Sequence, residues 1–205
     1  MIAIVDYGLG NPGSIRNMLR HIGTDSEITS DHEFIRSASK LILPGVGSFD
    51  QGMQNLEAYG LTSLLNQRVL EDKTPVLGIC LGMQLMTRGS EEGSRKGLGW
   101  LDAWTVRFTP PSSGEKFLVP HMGWEYVTAT NPSGLTNRLT DDTKFYFAHS
   151  YYVRCMNREE VILTTNGTHV CDAAFQKGNI LGVQFHPEKS HRYGMQLLSD
   201  FIQNF

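Results

Sequence analysis

Residues 75–84 read PVLGICLGMQ. An apolar run ends on Cys80, which has a glycine two positions away on each side, Gly78 and Gly82. Glycine weakens strand and helix alike, so a pair placed this way marks backbone forced through a tight bend. Gly-x-nucleophile-x-Gly is what a strand-to-helix elbow needs, because the turn crowds every residue around the projected side chain. A buried cysteine packed as a small hydrophobe is the competing reading. Under the elbow reading, PVLGI is a strand and LGMQLMTRG the helix that follows it.

Working outward, the first half repeats the same grammar. IAIVDY (2–7) reads as a buried strand and SIRNMLRHIG (14–23) as a helix closed by Gly23. KLILPG (40–45) is another apolar run, stopped by Pro44 and Gly45, and residues 50–70 carry leucines and a methionine at helical spacing. Strands alternating with helices imply a parallel sheet covered on its faces. Beyond about residue 100 the runs become β-rich with short turns: WLDAWTVRF, FLVPHMGWEYVTA, KFYFAHSYYVRC, VILTTNG, HVCDAAFQ and ILGVQFHP. These predict an antiparallel portion joined to the parallel one. PPSSGE (110–115) reads as a loop, and residues 190–204 return to helix, with Met195, Leu198, Ile202 and Phe205 expected on its inner face. The expected fold is α/β, one domain over residues 1–205, with a mixed central sheet flanked by helices.

Composition narrows the function. The 205 residues carry a formal net charge of −3 with no basic run or stripe, which points away from nucleic acid and anionic membranes. No apolar stretch approaches a membrane span, and MIAIVDYG reaches Asp6 too soon for a signal peptide. Cys80, Cys155 and Cys171 form an odd, sparse set without CxxC spacing, against a disulfide framework or a zinc site and in keeping with a reducing cytoplasm. GLGNPG (8–13) fits G-x-G-x-x-G, with Asp31 placed where a ribose-binding acid would stand. Pro12, however, removes an N–H from a loop that should hold phosphates, and the second half lacks further βαβ units, so nucleotide binding is a remote alternative.

A cysteine nucleophile needs a base, and the base an orienting group. His186 ends the run ILGVQF and is followed by Pro187 and Glu188. In extended chain, residues two apart face the same side, so Glu188 would hold the imidazole of His186 in one tautomer. A strand-end histidine beside a solvated glutamate is the bland counterpart.

LGICLGMQLM together with GVQFHPEKS resembles the class I, triad-type glutamine amidotransferases. IAIVDYGLGN, LPGVGSF, PHMGWE and FYFAHSYYV extend the likeness over essentially the whole chain, and are similar to the amidotransferase subunits of imidazole glycerol phosphate synthases. The resemblance implies a flavodoxin-like fold of that family, and hydrolysis of L-glutamine through a thioester on Cys80, with His186 as acid and base and Glu188 orienting it. It needs no cofactor and no metal. An elbow places the backbone N–H of Leu81 in the oxyanion hole; the resemblance adds the PGVG loop, Val46 and Gly47, as the second donor. Gln84 lies one helical turn past Cys80, and Glu92, Ser150 and Tyr151 match the family's substrate contacts.

The resemblance also implies a partner. A (β/α)8 barrel synthase subunit would receive the ammonia in a heterodimer, in histidine biosynthesis. Asn11, Met122, Trp124, Tyr146 and Lys189 are expected at that interface, with His149 at the rim between the two sites; for Met122 and Trp124, burial in the chain's own core is the competing reading. The family usually has a larger, basic-ended stretch where this chain has Pro12 and Gly13, and an asparagine where it has Glu125. Those departures keep open a related role, supplying ammonia for sugar amination or amidination in surface polysaccharide synthesis.

Overall fold

The computed structural model describes residues 1–110, 118–167 and 169–205. The loop expected at 110–115 therefore lies, Pro110 apart, outside the described residues. Five strands pair in parallel in the order β2 (Ser26–Thr29), β1 (Ile2–Val5), β3 (Lys40–Gly45), β4 (Val76–Cys80) and β11 (Ile180–Val183). The same sheet continues antiparallel through β10 (Asp172–Lys177), β9 (Val161–Thr165), β6 (His121–Ala129) and β7 (Lys144–His149). A separate antiparallel pair joins β5 (Ala103–Arg107) to β8 (Tyr151–Cys155). This is the mixed α/β architecture read from the sequence.

Four of the five parallel strands, β1, β3, β4 and β11, are buried on both faces, which is why they read as continuous apolar runs, whereas the edge strand β2 is only partly buried. Ile2, Ile4, Ile42, Leu77 and Ile79 pack with α1 (Pro12–His21) and α6 (His191–Asn204) through Ile15, Leu19, Leu197, Leu198 and Phe201. Ala3, Val5, Leu41, Leu43 and Val76 pack on the other side with α2 (His32–Ser37), α3 (Phe49–Ala58) and α4 (Leu61–Asn66), which contribute Ile35, Phe49, Met53, Leu56, Leu61 and Leu64.

Several boundaries differ from expectation for physical reasons. α1 starts at Pro12, with Asn11 accepting a hydrogen bond from the N–H of Ser14; proline suits the first helical position because its missing N–H has no partner to lose. The helical stretch from 50 to 70 is broken at Gly60, φ +66°, and ends in a π-helical turn at Gln67–Glu71. α6 buries Leu197 and Phe201 as well as the expected Leu198, while Met195 is only partly buried. The helix after Cys80, α5 (Leu81–Leu85), has five residues and does not reach Gly89. Leu98 donates to the carbonyl of Leu85, Trp100 to that of Met86 and Gly99 to that of Thr87. A tertiary segment thus takes the carbonyls that a longer helix would have used.

The outer edge of β7 meets the turn that follows β11. The N–H of His186 donates to the carbonyl of Tyr146 at 2.9 Å. The Ser190 hydroxyl accepts from the N–H of Tyr146 at 3.0 Å and donates to the carbonyl of His186 at 2.7 Å.

Candidate active site

Cys80 closes β4 with φ +53° and ψ −109°, a conformation that side chains other than glycine rarely adopt. Such backbone costs about 1–3 kcal/mol and persists only where its surroundings enforce it. The flanking glycines are part of that enforcement. A Cβ on Gly82 would overlap the carbonyl oxygen of Leu43, and one on Gly78 would lie 2.8 Å from the backbone of Met83. The helix therefore approaches β3 and β4 more closely than any side chain permits, and Cys80 is driven out of the sheet into a cavity of about 250 Å³.

His186 is buried behind that cavity, and Glu188 stands in a 3-10 turn, Pro187–Lys189. The chain after His186 is thus not extended, as the reading of H-P-E assumed, but the turn brings the pair together just as closely. His186 Nδ1 lies 2.8 Å from Glu188 Oε1, and both side chains are 3% exposed. A carboxylate oxygen accepts, so Nδ1 carries the hydrogen and Nε2 is left for Cys80, with which the imidazole also hydrogen-bonds. Burial opposes charge on this ring, yet the hydrogen bonds to Cys80 and Glu188 and the charges they carry push its pKa up to about 10.

The cavity gathers residues far apart in sequence. Val46, Gly47, Cys80, Leu81, Gln84, Glu92, Ser150 and Tyr151 all line it, as does Met122. Gly47 has φ +137°, and Val46 is half exposed. Gln84 is held by the protein: its amide nitrogen donates to the carbonyl of Tyr151 at 2.9 Å and to Gln184 Oε1 at 3.2 Å. Only its oxygen is free for a ligand. Glu92 has one oxygen engaged, accepting from the N–H of Phe49 at 2.8 Å where Ser48 makes no cap of its own to α3.

The interface candidates lie on the surface. Met122 and Trp124 are exposed, so the alternative of burial in the chain's own core fails. Trp124 meets the Tyr146 ring edge-on at 6.2 Å, and Lys189 Nζ stands 5.7 Å from the centre of that ring. Asn11 is exposed at the head of α1. His149, expected at the rim, is 5% exposed and faces the cavity from within β7. The GLGNPG turn carries caps, not a nucleotide cradle. Asn11 caps α1, and Asp31 is engaged in capping α2 through the N–H of Phe34 at 2.7 Å.

Two participants escaped the sequence reading. Gln184 Nε2 lies 3.8 Å from Cys80 Sγ; its place two residues before His186 was the available signal. Tyr7 donates to the carbonyl of Pro44 at 2.6 Å beneath the PGVG loop, and its phenol is driven up in pKa by burial and by the charge of Cys80. Cys155 and Cys171 are buried, as expected, and burial pushes both thiols upward. Among the described residues no cluster of three His, Cys, Asp or Glu side chains is arranged to hold a metal ion. Nor is any helix there long and apolar enough to cross a membrane.

Residues 3–205 match the family model described as glutamine amidotransferase class-I. The chain is 53% identical over 203 residues to imidazole glycerol phosphate synthase subunit HisH 2 of Methanococcus maripaludis, covering 99% of each chain. It is 42% identical to the protein of the same name in Pseudomonas aeruginosa, again over 99% of each. A solved glutamine amidotransferase shares the fold with a TM-score of 0.76 at 20% identity, covering 99% of this chain and 98% of that one.

Proposed function

The chain belongs to the class I glutamine amidotransferases and is a glutamine hydrolase, and from that premise we propose that it is the glutaminase subunit of an imidazole glycerol phosphate synthase. The observation that carries the chemistry is His186, hydrogen-bonded between Cys80 at the elbow and Glu188, beside a cavity of about 250 Å³. The pathway rests on relatives of that name matched end to end.

Cys80 Sγ, its proton already held by the raised-pKa imidazole of His186, attacks the side-chain carbonyl carbon of glutamine. The negative oxygen of the tetrahedral intermediate is received by backbone N–H groups at Leu81 and at the Val46–Gly47 loop; one such donor is worth about 10²–10³ in rate. When the C–N bond breaks, His186 returns the proton to the leaving nitrogen as ammonia departs, and a thioester remains. Water then attacks the thioester carbon, His186 takes its proton, and the C–S bond breaks to give glutamate and the free thiol. Glu188 keeps His186 in one tautomer and offsets its charge. Gln84 Oε1, the free oxygen of Glu92 and the Ser150–Tyr151 strand hold the amino-acid end of the substrate.

In this reading residues 1–205 form one cytoplasmic amidotransferase domain that passes ammonia to a (β/α)8 barrel synthase docked over Asn11, Met122, Trp124, Tyr146 and Lys189. Glu125 favours a second reading. Its carboxylate packs against Gly167 and stands 3.9 Å from His121, on the same strand as Met122 and Trp124, at a position where the resembled subunits usually carry asparagine. A different synthase, aminating or amidinating a sugar, would suit that departure. Glutamate release is measured for the chain alone and with the imidazole glycerol phosphate synthase barrel and its nucleotide ligand, with Cys80→Ala as control. A sharp rise with that partner supports the first reading. Release that this barrel leaves unchanged moves the chain to the second, and no release under any condition overturns both.

A further inference from the structure

The chemistry above leaves unused a group of three histidines beside the cavity. His121 and His149 are direct cross-strand partners of β6 and β7, and His169 stacks on His121 at 4.3 Å with the rings nearly parallel. Phe108 and Phe147 enclose them, with Phe147 stacked on His121 at 5.1 Å and Phe108 5.2 Å from His149.

Their hydrogen bonds allow one proton arrangement. His149 Nδ1 lies 2.8 Å from the carbonyl oxygen of Tyr151, and its Nε2 lies 3.2 Å from Nδ1 of His121. A carbonyl only accepts, so His149 carries its hydrogen on Nδ1. A neutral imidazole has one hydrogen, so Nε2 of His149 accepts and His121 donates from its own Nδ1. His121 Nε2 is then bare, 3.9 Å from Glu125 Oε2. Burial, together with the charges of the neighbouring histidines, keeps both rings neutral. His149 is faced by His121, His169 and His186, and its pKa falls to about 3; His121 is faced by His169, His149 and Glu125, and its pKa falls to about 4.

The carbonyl at the end of this chain is a junction. Tyr151 O accepts from His149 on β7 and from Gln84 on α5, the helix that begins at Leu81. We propose that His149, with its tautomer fixed by His121, is a positioning residue for glutamine hydrolysis: it fixes the Tyr151 carbonyl together with Gln84, and so sets the Ser150–Tyr151 wall against the nucleophile. The inference rests on the placement of glutamine along that wall. Neither histidine touches the reacting atoms.

The test compares His149→Asn with His149→Gln. The asparagine amide nitrogen takes the place of Nδ1 and still donates to Tyr151, whereas the glutamine amide reaches the place of Nε2 and does not. KM for glutamine stays within about 2-fold of the parent in His149→Asn and rises about 3- to 10-fold in His149→Gln, the range of one lost hydrogen bond, with kcat less affected. Nitrogen NMR of the unmodified protein shows hydrogen on Nδ1 of both His149 and His121. Equal KM in the two variants, or hydrogen on Nε2 of His149, overturns the inference while leaving the hydrolase reading intact. Absence of glutamate release from the parent chain both alone and with the barrel synthase overturns the hydrolase reading itself.

Discussion

The phenol of Tyr7 donates to the carbonyl oxygen of Pro44 at 2.6 Å, tying the end of β1 to the first peptide of the loop that faces Cys80. Both groups are buried, so removing the hydroxyl leaves an acceptor without a partner. Tyr7→Phe is expected to cost about 1–3 kcal/mol of stability. It should also lower glutamate release, because the loop loses its anchor. Thermal unfolding and a steady-state assay check this, and a variant with parental Tm and rate refutes the anchoring role.

Close approach at the elbow makes a sharper prediction. Gly82→Ala forces a methyl group into the Leu43 carbonyl, so β3 and α5 must separate and Cys80 must move. Stability should fall by about 3 kcal/mol or more, with activity lost. Gly13→Ala, in α1 and with its nearest neighbour 4.0 Å away, is the contrasting case. It should gain about 0.4–1 kcal/mol through the unfolded chain. Denaturant titration of both variants separates local crowding from a general intolerance of glycine loss.

Glu188→Gln keeps the shape of the His186 contact but can present a donor to Nδ1, favouring the wrong tautomer. The expected loss is about 10²–10⁴ in kcat with little change in KM. A loss confined to KM would show that Glu188 binds substrate instead of orienting the base.

Stability should pass through a maximum near neutral pH on account of three histidines. Below the ordinary value of 6.5 the unfolded chain takes up protons that His121 and His149 refuse until about 4 and about 3, so their burial costs stability as pH falls. His186 behaves oppositely: its raised pKa contributes stability that is complete below 6.5 and is lost as pH climbs toward about 10. Tm measured from pH 4 to 10 should show both limbs. His121→Phe should flatten the acid limb and His186→Asn the alkaline one; unchanged limbs in these variants would refute the assignment.

Four of the five parallel strands were legible because strands buried on both faces cannot avoid reading as apolar runs; the edge strand β2, SEIT, is only partly buried and lacks that signature. The elbow was legible because two glycines are needed for a contact with Leu43 and Met83 that no other residue allows. The length of α5 was not, since its carbonyls are taken by residues 98–100, whose return to the helix is a tertiary event. Glu188 was assigned its partner correctly by a wrong conformation, extended chain instead of a 3-10 turn. The burial of His149 depends on the register of β6 against β7, which pairs it with His121, 28 residues away. Nothing local in AHSYY encodes that pairing. Gln184 could have been found, since it precedes His186 by two; Tyr7 could not, its role depending on a loop 37 residues away.

The docking of the His186 turn on Tyr146 has a consequence for solubility. A sheet that stops at a bare strand offers N–H and C=O groups on which another chain can polymerise. At Tyr146 both groups are already taken, one by the backbone of His186 and the other by Ser190. The segment that carries the proposed general base therefore also blunts the last strand against self-association. Damage to this turn would produce a protein that is both inactive and prone to precipitate, two defects with one origin.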